Sequence, residues 1–390
     1  MFRPNKLAAN FGFCTDILVN LRKRERVAMP ESAKYREICE TLKSEILGGK
    51  HLATRAFPSS IALARRFKTT RATIRRAIDQ LRGQGLIGCR KGSGTFITKI
   101  GASRKIGLIV PALPKVEIFS AICHGISEVC QEHDRLLLFA DEKADAPDKV
   151  GTRLQELAAK FIEDGVAGVV FHPVDYCPNA ADVNREIVGT FARAKVPVVL
   201  LDCDLACSMQ SGGLDQVGVD NVEVGWMLGR HVIERGARRI LFVKRTEWSV
   251  NVRKRLMGLK NTAEGRRGVE VCEHLLDAGG KDAFLKLLKR RCPDAIVCSS
   301  DAVAANVLKL AEKAGKSSPR DVLVAGVNDV EIARITSPSL TTVRQPCADI
   351  ARAAVETLEW RMANPGAKPR HICLPTELIV RDSTGGSGRT

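Results

Sequence analysis

The chain has 390 residues, which is more than one ordinary domain needs, so two or three domains are expected. Hydrophobic residues make up 45% of it and charged residues 27%, which is typical of globular proteins and excludes a disordered or collagen-like chain. No apolar run approaches the ~20 residues of a membrane-spanning helix. The amino-terminus also lacks the basic, apolar and small-residue order of a signal peptide, so we expect a cytosolic protein.

The positive charge is concentrated in the first quarter of the chain. Residues 1–105 contain 23 Lys and Arg against 7 Asp and Glu, whereas the remainder contains 38 against 37. Almost all of the formal net charge of +17 therefore belongs to an amino-terminal module. Such asymmetry indicates a basic domain that binds a polyanion, joined to an electrically balanced body with another task.

Residues 1–29 fit no regular element, and we interpret them as a disordered N-terminal extension. A short apolar patch in this stretch runs into a basic cluster that begins at Arg22. The periodic pattern of the first helix begins only after Met29. One hypothesis is therefore that Met29 is the true start of the protein; the other is a mobile basic arm.

Residues 30–100 carry the pattern of a winged helix-turn-helix domain. Ser59, which follows Pro58, and Thr70 each stand where a side-chain oxygen can cap the helix that comes next. A glycine-rich turn over 91–94 joins two short strand-like segments. The predicted elements are three helices over 35–46, 61–67 and 71–82 and two strands over 86–90 and 95–98.

The third helix has the chemistry of a major-groove reader. Arginine can pair with two acceptors of guanine, and threonine can contact a thymine methyl group or a phosphate. The glycines of the following turn let the backbone approach a phosphate closely, and Lys91 adds charge there. The polar face of the helix carries Arg71, Thr73, Arg75, Arg76 and Gln80.

Residues 35–97 resemble the DNA-binding domain of the GntR family of transcription regulators. The matching segments are FPSSIALARRF, TRATIRRAIDQLRGQGLI and RKGSGTF. The family usually has an acidic residue where this chain has Ser60 and a serine where it has Thr70. The resemblance places Arg65, Arg66, Arg71, Thr73, Arg75, Gly92 and Gly94 at positions where the family contacts DNA. Together with residues chosen for their chemistry, the predicted DNA-binding set is Arg65, Arg66, Thr70, Arg71, Thr73, Arg75, Arg76, Lys91, Gly92, Ser93 and Gly94.

The body, residues 105–382, alternates short apolar segments with amphipathic helical patterns such as 222–234. This alternation predicts parallel, doubly wound sheets, and its length predicts two lobes. Ligands of such folds bind at the carboxyl ends of the strands, which between two lobes form a cleft. The predicted first lobe comprises about 105–220 and 345–365, and the predicted second lobe about 221–343 and 366–382.

The body lacks the sequence signatures of common enzymes and metal sites. It has no GxxxxGK[ST] loop, no GxGxxG after a strand, no GxSxG and no HExxH, and its histidines are scattered singly. The 13 cysteines of the chain form no CxxC pair, so we interpret them as reduced thiols. We therefore expect no catalytic residue, no metal and no cofactor.

The body resembles the regulatory domain of LacI-type repressors, which is itself similar to periplasmic sugar-binding proteins. The most distinctive segment is PSLTTVRQP at 338–346, and further ones are RLMG at 255–258, SSDA at 299–302 and AGVND at 325–329. The DNA-binding head of the LacI family is replaced by the GntR-type module, as in arabinose-type regulators of the GntR family. The expected fold is α/β, with an N-terminal winged helix-turn-helix and a two-lobed, doubly wound periplasmic-binding-protein-like domain.

The predicted cleft combines hydrogen-bonding groups with flat apolar surfaces. A sugar needs paired partners for adjacent hydroxyl groups, which Arg255 and Asp202 can supply. Phe119, Trp248 and Tyr176 are candidates to stack on the sugar ring, or else they belong to the core. By resemblance, Arg255 grips ligand hydroxyls, and the family commonly has Asp where this chain has Asn328. The predicted effector-binding residues are Phe119, Asp202, Trp248, Arg255, Asp301, Asn328 and Gln345.

Together these features predict a transcription regulator, by family default a repressor, that binds double-stranded operator DNA as a homodimer. A sugar-like effector between the lobes would change their closure and so the operator affinity. Two alternatives stay open. One is a DNA-binding dimer whose body senses nothing, and the other is a regulator fused to an aminotransferase-like enzyme, which would need a Schiff-base lysine.

Overall fold

The computed structural model describes most of the chain. Within it, none of the helices combines the length and the apolarity that crossing a bilayer requires. The predicted extension 1–29 and the wing tip 91–93 lie outside the described residues. The described residues are 31–47, 57–90, 94–97, 104–110, 118–140, 149–177, 179–202, 213–245, 247, 249–276, 280–290 and 293–385.

The amino-terminal domain contains the three helices and the antiparallel hairpin that the sequence predicts. Ser59 and Thr70 are both N-caps: the Ser59 hydroxyl accepts the N–H of Ala62 at 3.2 Å, and the Thr70 hydroxyl accepts that of Thr73 at 3.2 Å. Its core is a separate cluster of buried apolar side chains. The elements are α1 (Glu31–Leu47), α2 (Ser60–Arg66), α3 (Arg71–Gly83), β1 (Ile87–Arg90) and β2 (Gly94–Ile97).

The body alternates strands and helices, and the predicted α/β class is confirmed. The first part contains β3 (Lys105–Ile109), α4 (Ile118–Glu132), β4 (Leu136–Ala140), α5 (Val150–Glu163), β5 (Gly168–Phe171), α6 (Ala180–Arg193), β6 (Val198–Leu201) and β7 (Asp215–Val219). The next part contains α7 (Asn221–Glu234), β8 (Arg239–Lys244), α8 (Val250–Ala263), β9 (Glu270–Leu275), α9 (Gly280–Arg290), β10 (Ala295–Cys298), α10 (Asp301–Lys313), β11 (Leu323–Asn328), α11 (Glu331–Ile335) and β12 (Thr341–Arg344). The chain continues with α12 (Cys347–Ala363), β13 (His371–Leu374), β14 (Glu377–Ile379) and a 3-10 helix (Asp382–Thr384).

Each lobe is a six-stranded sheet covered by helices on both faces. The first sheet has the strand order β13-β7-β6-β5-β3-β4, and all its pairs are parallel. The second has the order β14-β12-β11-β10-β8-β9, with only β14 antiparallel to its neighbour. The central strands β5, β6 and β10 are buried along their whole length, as expected for strands covered on both faces.

The chain crosses between the lobes three times, at 219–221, 344–347 and 374–377. The prediction that 366–382 belongs wholly to the second lobe is wrong, because β13 pairs in parallel with β7 of the first sheet. Only β14 and the residues after it join the second lobe. The half-exposed, alternating strand β13 fits the edge of either sheet, so its sequence did not decide the partner.

Two glycines let α7 and α8 cross at very short distance. A Cβ atom built on Gly225 would lie 1.8 Å from the carbonyl oxygen of Arg255, and one built on Gly258 would lie 1.8 Å from that of Val222. The two backbones are therefore in direct contact. This contact fixes the position of α8, which carries the predicted cleft residue Arg255.

The amino-terminal domain contacts the end of α12 in the first lobe. Lys43 of α1 is buried, and its ammonium group donates to the carbonyl of Ala363. Beside this contact a cavity of about 340 Å³ lies between the two domains, lined by Gln84 and Leu86 on one side and by Val196 on the other. The DNA-binding domain is thus packed against the first lobe.

We predict that Gly225→Ala lowers the free energy of unfolding by about 2 kcal/mol or more, because the added methyl group collides with a backbone carbonyl that cannot move aside. Urea unfolding followed by circular dichroism measures this. Gly189→Ala is the matched control, because the added methyl group in α6 meets only the flexible end of Arg193. That variant should be neutral or more stable, and equal stability of both variants would contradict the close helix crossing.

Candidate functional sites: the basic helix and the interlobe cleft

The exposed face of α3 presents three arginines without an acidic partner among the described residues. Arg71, Arg75 and Arg76 are all exposed, while Ile74, Ala77 and Leu81 on the opposite face are fully buried. Thr70 caps the amino end of the helix, whose partial positive charge adds to that of the nearby Arg71. This face can therefore bind the phosphates and base edges of DNA.

Three predicted DNA-binding residues, Thr70, Thr73 and Arg66, have partners inside the domain. Thr73 is only 2% exposed, and its hydroxyl lies 2.8 Å from that of Thr70, so it belongs to the helix cap rather than to the open face. Arg66 forms a two-pronged ion pair with Glu45, with one distance of 2.7 Å. Arg65 remains exposed. Of the predicted wing residues, Gly94 begins β2, whereas Lys91, Gly92 and Ser93 lie outside the described residues.

Asp202 stands at the carboxyl end of β6, where the first lobe meets the second. Its φ angle of +58° lies in the left-handed region, and its N–H donates to the carbonyl of Val217 at 2.8 Å. Asn251 of α8 reaches it from the second lobe. The amide of Asn251 donates to the Asp202 carbonyl oxygen at 2.7 Å and to the carboxylate atom Oδ2 at 3.2 Å. Asp202 is therefore part of a direct polar contact between the lobes.

Arg255 lies one helical turn after Asn251, so both side chains leave the same face of α8. It is 6% exposed, and its guanidinium is held within the second lobe. Nε donates to the side chain of Asn221 at 2.7 Å, and Nη1 donates to the carbonyl of Ser299 at 2.7 Å. Asp220 caps α7, and Asn221, the first residue of that helix, orients Arg255.

Burial and neighbouring charges both shift the pKa values of ionisable groups in the cleft. Burial raises the pKa of Asp202 to about 7, although the guanidinium of Arg255 lowers it, and Asp175 raises it further. Burial lowers the pKa of Arg255, against the attraction of Asp202, Asp175 and Asp301. Burial likewise lowers the pKa of His172, which Asp175 opposes. Near neutral pH, Asp202 is thus close to its titration midpoint and His172 is uncharged.

The remaining predicted polar residues line the second lobe and a crossing segment. Asp301 uses both carboxylate oxygens within the lobe, because it accepts the Thr342 hydroxyl at 2.6 Å and the Val330 N–H at 3.1 Å. Asn328 has a φ angle of +120°, a strained conformation for a residue other than glycine. Its side-chain oxygen accepts the amide of Gln345 at 2.9 Å. The hydrogen bonds of Asp301 therefore stay within the second lobe. The hydrogen bond between Asn328 and Gln345 connects the end of β11 to the crossing segment 344–347.

Of the three residues predicted to stack on a sugar ring, the structure describes two, and both pack against the core of the first lobe. Phe119 is 3% exposed and belongs to the core of the first lobe, which was the alternative left open for it. Its ring meets that of His172 at 4.2 Å between centroids in an edge-on arrangement. Tyr176 is half-buried against the first-lobe core. Trp248 lies outside the described residues.

The cleft also contains residues that the sequence did not single out. Asn251, Asn221 and His172 contact predicted residues from chain positions about 30 to 50 residues away. The negative charge of Asp175 raises the pKa of both Asp202 and Arg255. The sequence offered one signal for these residues, a polar side chain one helical turn before Arg255. This signal indicates Asn251 and none of the others.

Over the ranges described, no group of three or more His, Cys, Asp or Glu side chains is placed to hold a metal ion. The nine cysteines described are free thiols. Burial raises the pKa of Cys39, Cys130 and Cys347 to about 11, so these three thiols are protonated at neutral pH. The described cleft therefore offers hydrogen-bonding groups as its chemistry.

Comparison with known proteins gives matches to both parts of the chain. Residues 34–97 match the family model of bacterial regulatory proteins, gntR family, and residues 230–384 match that of a periplasmic binding protein-like domain. The arabinose metabolism transcriptional repressor of Geobacillus stearothermophilus is 25% identical over 370 residues, covering 90% of this chain and 97% of that protein. The HTH-type transcriptional regulator MalR of Streptomyces coelicolor is 27% identical over 328 residues, covering 82% and 89%. A solved LacI family transcriptional regulator from Enterococcus faecalis with bound ribose is 26% identical with a TM-score of 0.59, covering 72% of this chain and 99% of that one.

The fold, the basic helix and these matches define a DNA-binding transcription regulator. Its amino-terminal domain has a winged helix-turn-helix fold and matches the gntR family model over residues 34–97, and its two-lobed body matches the periplasmic binding protein-like model over residues 230–384.

We predict that Arg71→Ala and Arg75→Ala each weaken binding to operator DNA by about 1–3 kcal/mol, because each removes an exposed cation from the recognition face. If the lost contact is to a phosphate, the slope of log affinity against log salt also falls by about 0.9. Fluorescence anisotropy at several salt concentrations measures both quantities. Arg267→Ala, an exposed arginine of the second lobe, is the control and should change neither. Equal effects of all three would contradict the assignment.

A second prediction concerns the buried carboxylate. The folded-state pKa of Asp202 lies above its usual value, so the folded protein holds a proton that the unfolded chain releases between about pH 4 and pH 7. Stability from this group is fully present at the acidic end and is lost as the pH rises. Asp202→Asn should remove this loss and gain on the order of 1–3 kcal/mol relative to wild type between pH 4.5 and pH 7.5.

Urea unfolding across that pH range measures the difference. Asp182→Asn, at an exposed acid of α6, is the control and should leave the pH dependence unchanged. An Asp202→Asn curve that runs parallel to that of wild type would show that burial does not perturb this carboxyl group.

Proposed function

We propose that this protein represses transcription by binding operator DNA through residues 30–100, and that a sugar-like effector bound between the lobes of residues 105–382 controls the operator affinity. The observation that carries the sensing role is that Asp202 of the first lobe and Arg255 of the second are both buried at the lobe boundary and attract each other electrostatically. Burying such groups is costly unless hydrogen bonds satisfy them, and the hydroxyl groups of a ligand can supply these. One relative is named for arabinose metabolism, and a solved relative holds ribose, which supports a sugar.

One helix links the cleft to the DNA-binding domain. α12 begins just after the crossing residue Gln345 and ends at Ala363, where Lys43 of α1 donates to its carbonyl. At 1.5 Å per residue it is about 25 Å long. Closure of the lobes moves the crossing segments, and α12 transmits this movement to α1. The effector must bind the two lobe arrangements unequally, which typically supplies about 1–3 kcal/mol of coupling.

The regulator acts as a homodimer on a near-palindromic operator. A dimer of the bodies holds two copies of α3 at a fixed spacing, and this spacing sets the separation of the half-sites. The place of action is the cytosol, where bacterial operator DNA lies.

The two alternatives have less support. A body that only dimerises the protein does not need to keep an aspartate and an arginine buried at the lobe boundary. An aminotransferase-like body needs a lysine that is free to form a Schiff base. The buried lysines in the described part of the chain are Lys43 and Lys244, and Lys244 is occupied by Glu247 and Glu273, each at 2.6 Å.

The test begins with an operator selected from a random duplex library by the wild-type protein. A thermal-shift screen of mono- and disaccharides then identifies an effector, and anisotropy measures operator affinity with and without it. Arg255→Ala should keep operator affinity within about twofold but lose the effector response, because it removes the buried guanidinium that Asn221 and Ser299 hold on the second-lobe side of the cleft.

Arg253→Ala is the matched control, because this arginine lies on the same helix but is exposed. It should respond to the effector as wild type does. A full response in Arg255→Ala would refute the cleft assignment, and a wild-type protein whose operator binding no sugar alters would favour the body that senses nothing.

A further inference from the structure

Three atoms in the cleft are buried without a hydrogen-bond partner among the described residues. They are Oδ1 of Asp202, Nδ1 of His172 and Oε1 of Gln345. The side chains that carry them are 6%, 5% and 3% exposed. A buried polar atom left unpaired costs on the order of 1–3 kcal/mol, so three of them together indicate a site that is completed by something else.

These atoms belong to one site. Asp202 and His172 both interact electrostatically with Asp175. Cys347 donates its N–H to the Gln345 carbonyl at 2.9 Å, and the Asp202 carboxylate raises its pKa, so Gln345 lies on the same side of the cleft. His172 and Asp202 directly follow the paired parallel strands β5 and β6, so both lie at the sheet edge where Asn251 contacts Asp202.

Two of the three atoms are acceptors, and the third can be one. A carboxylate oxygen and an amide oxygen accept hydrogen bonds, and the neutral imidazole of His172 can also accept through Nδ1. The amide nitrogen of Gln345 already donates to Asn328, which fixes the orientation of its oxygen. The missing partners are therefore donors, and neighbouring hydroxyl groups of a polyol provide such donors.

The charges of the site argue against an anionic ligand. Within the described residues, Arg255 is the buried cation there, and three acids, Asp202, Asp175 and Asp301, act electrostatically on it. Nε and Nη1 of its guanidinium already donate to Asn221 and to the Ser299 carbonyl. A phosphate or carboxylate entering this site would meet more negative than positive charge in a region of low dielectric constant.

We infer that the effector is an uncharged polyol, a free sugar or sugar alcohol rather than a sugar phosphate or sugar acid, and that His172 is one of the residues that bind its hydroxyl groups. This inference rests on the proposed sensing function. The inference goes beyond that function because it selects one class of sugar-like ligand and adds a ligand-binding residue in the first lobe.

The test uses isothermal titration calorimetry with the full-length protein and matched ligand sets. Each set contains a neutral sugar, its alditol, its phosphate and its aldonic or uronic acid, built on arabinose, ribose, xylose, glucose and galactose. The expected result is binding of a neutral member at least a hundredfold tighter than its anionic counterparts. An anionic member that binds as tightly overturns the inference but leaves the sensing function standing. No binding in any set overturns both.

Variants separate the role of each group. His172→Leu should weaken binding of the neutral sugar about tenfold, because one hydrogen bond is lost, and His172→Gln should recover part of it. His274→Leu is the matched control, since His274 also has a buried ring nitrogen without a described partner but lies on β9 of the second lobe. Unchanged affinity in a folded His172→Leu protein refutes the contact. Asp175→Asn should narrow the preference for neutral over anionic ligands several-fold, and an unchanged preference refutes the charge argument.

Discussion

The two lobes meet through a polar contact that is buried but not fully satisfied. Asn251 of the second lobe binds both the backbone and the carboxylate of Asp202 in the first, while Arg255 is held one turn away. Burial disfavours the charged form of both ionisable groups, which is why their pKa values move toward neutrality. A ligand that supplies the missing hydrogen bonds lowers the free energy of the arrangement that encloses it. The cleft can therefore favour one closure state only when it is occupied.

Backbone packing far from the charges makes this contact possible. The glycines at 225 and 258 bring α7 and α8 together, and one helix carries Asn221 while the other carries Asn251 and Arg255. A single helix crossing thus positions three cleft side chains. On the other side of the cleft, α12 runs from a crossing segment to the contact with Lys43. The parts that bind DNA and ligand are therefore connected through continuous secondary structure.

The sequence predicted most where the signals were local. The caps Ser59 and Thr70, the apolar spacing of α3 and the strand–helix alternation each involve residues close in the chain, and all are confirmed. The cleft was harder, because Asn221 and Asn251 gain their roles from partners about 34 and 49 positions away. The edge strand β13 was assigned to the wrong lobe for the same reason. Thr73 lies at the margin of the polar face of α3, where spacing alone cannot separate an exposed hydroxyl from one that supports the cap.

Reciprocity between the two sites tests the coupling of cleft and DNA-binding domain most directly. Calorimetry can measure the effector affinity of the free protein and of the protein saturated with operator, beside the operator affinity with and without effector. Because linkage is symmetrical, the two ratios must agree, and this account predicts a common factor of about 5 to 150. An effector affinity that is the same in free and operator-bound protein would contradict it, since the cleft and the basic helix would then be independent.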